Sequence, residues 1–415
     1  MRILQLCKKF PYPLKDGESI AVTYLSKALH DLGCEMTLLC MNTTKHYTEL
    51  KTLPKDFNHY KEILVTKLDN AIKPVDAFKN LFSKKSYHVS RFVSKEFEEE
   101  LIRLLERKTF DVIQLETLYL APYIEIIRQH SDALITMRAH NVEHEIWERI
   151  TQNTKLLPKK WYLGHLAKKL KNFEIGKLND YDYLITVTDT DLKKFKKLGY
   201  RKDAASSPIG INVSDYNRNK LDLKHPLSMC FIGSLDWMPN LEGLDWFLEH
   251  VWPRVNATYP KVKMHVAGRN TPAKIKQLEA GGLHIHGEVA SAIAFISDHP
   301  IMLVPLFSGS GMRVKILEGL ALGRVIITTS MGLEGIDARH MQEVMIADTL
   351  EEFMQCIEFC HNYPSKLESI SENAKSFVKQ HYDNQNNASE LKDLYQKLLI
   401  KYRNKNIEKP SVKTN

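Results

Sequence analysis

The residues best suited to chemistry lie in one stretch, VPLFSGSGMRVKILEGLALGRVIITTSMGLEGI, residues 304–336. An apolar run ends at Phe307, a loop of Ser308, Gly309, Ser310 and Gly311 follows, and helical spacing begins near Met312. Small residues let the backbone approach a ligand closely, and the first-turn amides and dipole of a helix favour a phosphate group. Arg313 and Lys315 bring two cations to the same end. Glu318 follows Lys315 on nearly the same face, placed to accept from a hydroxyl pair such as a ribose. A Gly/Ser loop by itself is an ordinary turn and cap; joined to two cations and a carboxylate it reads as a site for a phosphorylated ligand.

A second set surrounds RAHNVEHEIW, residues 138–147. His140 stands at the carboxyl end of an apolar run (133–137) and directly before a helical zone (141–178), which turns its side chain toward an interdomain cleft. His140 to His144 also spells H-x-x-E-H, the spacing with which two histidines bind zinc beside a glutamate base. Here the first histidine falls at a strand-to-helix junction and no third ligand stands out, so no metal is expected. Asp189-Thr190-Asp191 has a D-x-D pattern, yet it sits before a Lys-rich helix and reads as an N-cap with first-turn acids. Asn240 likewise reads as a helix cap.

These residues need a frame. Residues 2–7 and 35–40 are apolar runs separated by a helical segment (20–32) that closes at Gly33, a unit of parallel-crossover size. Helices near 96–106 and 122–128 alternate with strands at 112–115, 133–137 and 183–187. A polar segment, 199–228, marks a boundary, and the alternation restarts with strands at 229–233, 262–267, 302–307 and 325–328 and helices at 241–255, 272–279 and 314–322. The expected fold class is α/β: two doubly wound parallel-sheet (Rossmann-like) domains facing across a cleft, 1–205 and 206–385. A C-terminal helix, 386–404, is a candidate to pack back on the first domain, and 405–415 is expected to be a flexible tail. Ligands bind beyond the carboxyl ends of such strands, which adds Gly233, Ser234, Arg269 and Val289 in the second domain and the turn Lys15, Asp16, Gly17, Glu18 in the first.

A chain of 415 residues that is 43% hydrophobic and 26% charged buries full cores, which excludes disorder and low complexity. Lys8, Lys9 and two prolines interrupt the N-terminal apolar run, so no export signal is read, and no run reaches the roughly 18 apolar residues of a membrane span. Six cysteines without paired spacing point to a reduced, cytoplasmic setting. The net charge of +8 resides wholly in residues 1–205, with 35 Lys and Arg against 27 Asp and Glu, whereas 206–415 hold 23 of each. Local concentrations at Lys84, Lys85 and Arg91, and at Lys159, Lys160, Trp161, Tyr162, Lys168, Lys169 and Lys171, suit a helix lying on anionic lipid. No nucleic-acid motif accompanies them.

The segment GSGMRVKILE, residues 309–318, resembles the donor-binding segment of retaining glycosyltransferases of family four, which have the GT-B architecture. FIGSLDWMPNLEGLDWF (231–247) is similar to one subgroup's opening of the second domain, and RAHNVEHEIW to its first-domain signature, so the resemblance spans almost the whole chain. It implies an enzyme of the bacterial surface-polysaccharide type. Such an enzyme moves a sugar from a nucleotide-diphosphate sugar to a polysaccharide or lipid-linked acceptor, with retention of anomeric configuration and without a metal or other cofactor. Catalytic places fall by resemblance to His140, Arg313 and Lys315, and donor-binding places to Gly233, Ser234, Arg269, Val289, Ser308, Gly309, Ser310, Gly311, Met312 and Glu318. Asp16, Gly17, Glu18 and Asn141 take the acceptor side. Many members carry Glu-x7-Glu here; Glu318 matches the second, and Ser310 replaces the first, which assigns the sugar to the backbone amides of 308–312. The expected location is cytoplasmic and peripheral on the inner face of the membrane. Two other readings are a nucleotide-sugar epimerase of the same architecture and a non-catalytic two-lobed sugar- or nucleotide-binding protein.

Overall fold

The computed structural model describes residues 1–14, 17–44, 46–71, 73, 79–216, 221, 223, 227–278, 281–309 and 311–407. The chain divides into two units, Met1–Gly210 with Asn384–Asn415, and Ile211–Asp383. The first is built on seven parallel strands in the order β3-β2-β1-β4-β5-β6-β7. They are β1 (Arg2–Cys7), β2 (Glu35–Thr43), β3 (Tyr60–Leu68), β4 (Val112–Leu115), β5 (Leu134–Ala139), β6 (Tyr183–Thr186) and β7 (Ala204–Ser206).

Strands covered on both faces read as apolar runs, and the alternation along them assigns each side chain to one face or the other. In β1, Ile3 and Cys7 enter one core and Leu4 and Leu6 the other; in β4, Val112 and Ile113 divide the same way. Gln5 and Gln114 interrupt these runs, pair in register and are fully buried. Their face is covered by the helix Gly17–Asp31 and by the C-terminal helix Asn384–Ile407, which contributes Ala388, Leu391 and Tyr395 to that core. Lys392 Nζ donates to the Leu32 carbonyl at 2.7 Å, and Asn384 Nδ2 to that of Tyr24 at 2.7 Å.

The second unit repeats the plan with six parallel strands in the order β10-β9-β8-β11-β12-β13. These are β8 (Ser228–Ile232), β9 (Lys263–Ala267), β10 (Leu283–Gly287), β11 (Ile301–Val304), β12 (Val325–Thr328) and β13 (Met345–Ile346). Phe231, Phe247, Trp252, Leu303, Ile327 and Phe353 anchor its core.

Two features depart from the pattern read in the sequence. The helical zone 141–178 is two helices, Glu143–Asn153 and Leu157–Lys177, parted by extended backbone at Thr154 and Leu156, with Pro158 in the first turn of the second helix, where its missing N–H costs nothing. Edge strands β3 and β7 carry half-buried side chains and lack the apolar run that marks a central strand. No helix among the described residues is long and apolar enough to cross a membrane.

Each sheet reverses its strand order once, between β1 and β4 and between β8 and β11. Ligands of open α/β sheets bind beyond the carboxyl ends of the strands at that reversal.

Candidate active site

In the second unit the loop that leaves β11 holds Gly309 at φ +101° and Gly311 at φ +85°, backbone conformations that side chains disfavour. The helix Val314–Ala321 follows, with Arg313 at its N-cap. Arg313 is buried, donates from Nη1 to the Gly311 carbonyl, and lies 5.4 Å from the centre of the Trp237 ring. Lys315 Nζ donates to Asn240 Oδ1 at 2.8 Å and to the Ile232 carbonyl at 3.3 Å, over the Phe231 ring. Asn240 Nδ2 donates in turn to the Ser234 carbonyl at 2.9 Å. Asn240 therefore does not cap a helix: it lies inside Met238–Trp246 and clips the loop after β8 to Lys315. A Cβ on Gly233 would stand 2.6 Å from Asn240 Nδ2, so only glycine admits this clip.

Tyr216, in the short turn Val213–Tyr216, donates its hydroxyl to Glu318 Oε1 at 2.9 Å. Nothing in the sequence marks Tyr216, because it precedes Glu318 by about a hundred residues in a polar segment. Burial pushes the Glu318 carboxyl upward against the opposing effects of Tyr216 and Lys315. Burial, helped by Arg313 and opposed by Glu318, lowers Lys315 to about 7. Two cations thus stand close together where burial disfavours a charged lysine, an environment suited to an anion.

The remaining candidates of this unit frame the same end of the sheet. Ser308 donates to Glu242 Oε2 at 2.9 Å and Ser234 to Asp236 Oδ1 at 2.5 Å. The Arg269 carbonyl accepts from the Leu235 amide at 2.9 Å, while Met312 and Val289 are half-buried. Ser310 lies outside the described residues, as does Asp16 of the first unit.

In the first unit the centre is a residue the sequence reading missed. Glu116, at the carboxyl end of β4, is fully buried and accepts from His140 Nε2 at 3.1 Å and from Arg138 Nη1 at 3.3 Å. Burial opposes its ionisation, but Arg138, His140 and Gln5 prevail and hold it at about 2. An acid ending the apolar run VIQLE at the strand reversal was the available signal. Lys8, just past β1, pairs with Glu18 at 3.1 Å and sits 4.6 Å from the centre of the Tyr119 ring. Burial raises Glu18, and Lys8, Lys9 and His140 bring it below its ordinary value. Gly17 opens the helix beside them, and Asn141 is half-buried next to His140.

The two histidines of H-x-x-E-H serve different carboxylates. His144 Nδ1 bonds Glu174, whose oxygens also accept the Glu143 and His144 amides at 3.1 Å and so cap the helix Glu143–Asn153 from a distant residue. Among the described residues no group of three or more His, Cys, Asp and Glu could hold a metal ion. In the D-x-D segment the N-cap is Thr188, whose hydroxyl accepts the Asp191 amide at 3.0 Å, and both acids stand in the first turn.

The fold is that of two Rossmann-like domains, matching GT-B glycosyltransferase structures, and the cluster of Arg313, Lys315 and Glu318 lies at the carboxyl end of the second sheet. Residues 226–362 match the family described as Glycosyl transferases group 1, a stretch that contains the described second-unit candidates from Gly233 to Glu318. Over 270 residues the chain is 25% identical to an uncharacterised 44.6 kDa protein in the cps region of Klebsiella pneumoniae, covering 62% of this chain and 65% of that one. Over 251 residues it is 22% identical to an uncharacterised glycosyltransferase of Methanocaldococcus jannaschii, covering 57% and 59%. The chain thus spans 65% and 59% of the length of these curated relatives. Among solved structures, Anabaena HepE in complex with UDP gives a TM-score of 0.67 at 13% identity, over 96% of this chain and 100% of that one. Sucrose-phosphate synthase of Thermosynechococcus elongatus gives 0.69 at 14%, over 96% and 100%.

Proposed function

We propose that the protein is a glycosyltransferase. Its second domain binds a nucleotide-diphosphate sugar and its first holds a polysaccharide or lipid-linked acceptor. The observation that carries the reading is the cradle of Arg313, Lys315 and Glu318 behind the Gly309 and Gly311 loop, inside the stretch that matches Glycosyl transferases group 1. Arg313, Lys315 and the loop amides neutralise the departing diphosphate, and Glu318 takes the ribose. No metal is needed for that charge. The bond from the anomeric carbon to the diphosphate breaks, the acceptor oxygen bonds on the same face, and its proton passes to the departing phosphate, so configuration is retained. HepE was crystallised with UDP and with UDP-glucose, which makes uridine the first base to try.

His140 is assigned to the sugar. The test is transfer from a UDP-sugar to a polyprenyl-linked acceptor, followed by nucleotide release. His140→Ala is expected to lower turnover by about 100-fold while donor affinity changes less than about threefold. A variant with full turnover removes His140 from the reaction.

The same reading places the first domain on an anionic membrane surface. Leu157 and Trp161 are 76% and 67% exposed on the helix that carries Lys159, Lys160 and Lys168. Lys169 does not share that surface: its ammonium is bound by the carbonyls of Asn80 and Leu81, while Lys171 pairs with Glu148 at 3.1 Å.

A further inference from the structure

The carboxylate that holds His140 is itself held by two matching arms. Glu116 Oε1 accepts from Gln5 Nε2 and from Gln114 Nε2, the register partners of β1 and β4. The amide oxygen of each glutamine is occupied by a tyrosine hydroxyl, Tyr60 on Gln5 at 2.6 Å and Tyr395 on Gln114. Tyr60 comes from β3 and Tyr395 from the C-terminal helix, so residues far apart in sequence brace the two amides that meet on Glu116 Oε1. Tyr60 also lies 2.9 Å from Ser26 Oγ, which is 2.9 Å from His59 Nε2. Thr136 Oγ1 lies 3.4 Å from the Tyr395 hydroxyl.

Donor bookkeeping fixes the protons. A phenol hydroxyl pointed at each amide oxygen leaves only N–H groups to face the carboxylate. Turning either amide over would set its oxygen against a carboxylate oxygen, two acceptors face to face. With two amides on Oε1 and Arg138 and His140 on Oε2, Glu116 meets four side-chain nitrogens among the described residues and has no place for a proton of its own. His140 must then present Nε2–H to it, because a bare imidazole nitrogen would face an acceptor.

We propose that Gln5 and Gln114, aligned by Tyr60 and Tyr395, are positioning residues that keep Glu116 an acceptor only and so make Nε2–H the tautomer of His140 whenever its ring is neutral, with the lone pair then on Nδ1. The C-terminal helix is thereby a working part of the first domain's site, acting through Gln114 and Glu116. The tautomer follows from the hydrogen bonds alone; its value for turnover rests on the glycosyltransferase reading.

The test is a long-range proton–nitrogen correlation spectrum of the full chain labelled with 15N-histidine. The His140 signals, among 17 histidines, are identified by their loss in His140→Asn. Recorded across a pH series, the expected wild-type pattern once the ring is neutral is protonated Nε2 and bare Nδ1. Tyr395→Phe, a one-atom deletion that spares the fold, and Glu116→Gln are each expected to give a mixture of tautomers. Turnover should fall severalfold with donor KM unchanged, and the pH profile of kcat should shift. A wild-type Nδ1–H tautomer overturns the proposal, as does a pure Nε2–H pattern and an unmoved pH profile in both variants. An Nε2–H tautomer in a protein that transfers no sugar sustains the positioning network and refutes the enzymatic reading instead.

Discussion

Lys315 is a buried cation whose charge works against its surroundings. Its ammonium is enclosed by Asn240, the Ile232 carbonyl and Phe231, and burial lowers it to about 7. The folded-state value lies below that of the unfolded chain, so the unfolded chain binds more protons between about 7 and the ordinary lysine value. The resulting penalty on folding is full below pH 7 and fades as pH rises through that window. Lys315→Met is expected to gain about 1–3 kcal/mol at pH 6.5 relative to wild type and less at pH 9.5, and to lose nucleotide binding at both. Urea melts at the two pH values check this; a difference independent of pH contradicts it. The cations and Glu318 were legible because loop, helix and charge are neighbours in sequence. Their partners Asn240 and Tyr216, and Glu116 under His140, were not, because those contacts join residues that only the fold brings together.

The loop between β11 and the helix Val314–Ala321 positions these groups by backbone shape. A Cβ on Gly309 would stand 2.9 Å from Arg313 Nη2, at a φ of +101° that alanine resists. Gly309→Ala is expected to cost about 1–3 kcal/mol in stability and to weaken donor binding by at least tenfold, measured by melting and calorimetry. Gly176→Ala, in the helix Leu157–Lys177, is the control, since a Cβ there meets nothing within 4 Å. Unchanged donor affinity in Gly309→Ala would remove the loop from the site. Central strands and long helices were readable from apolar runs and periodicity. The edge strands were not, because half-buried residues carry no run, and the cap that Glu174 gives to Glu143–Asn153 acts across some 30 residues.

Over the whole chain, the excess positive charge lies in the first half and the cluster of Arg313, Lys315 and Glu318 in the second, a division visible in the sequence because each domain is mostly one continuous segment. The return of the chain at Asn384 to finish the first unit rests on three-dimensional packing of Ala388, Leu391 and Tyr395. Vesicles with anionic lipid are expected to float the wild type but not a variant with Lys159, Lys160, Lys168 and Trp161 changed to Ser, each cation contributing about 1 kcal/mol. Equal flotation would refute a membrane-facing surface. The decisive experiment is a thermal-shift panel of UDP-, GDP-, ADP- and CMP-sugars with the free nucleotides, with and without a chelator. One nucleotide series is expected to stabilise the protein, by about 2.7 kcal/mol at 100 times its dissociation constant, equally in the presence of chelator. Absence of a shift with every nucleotide, or a shift that survives Glu318→Ala and Lys315→Met together, would contradict a sugar-nucleotide site in the second domain.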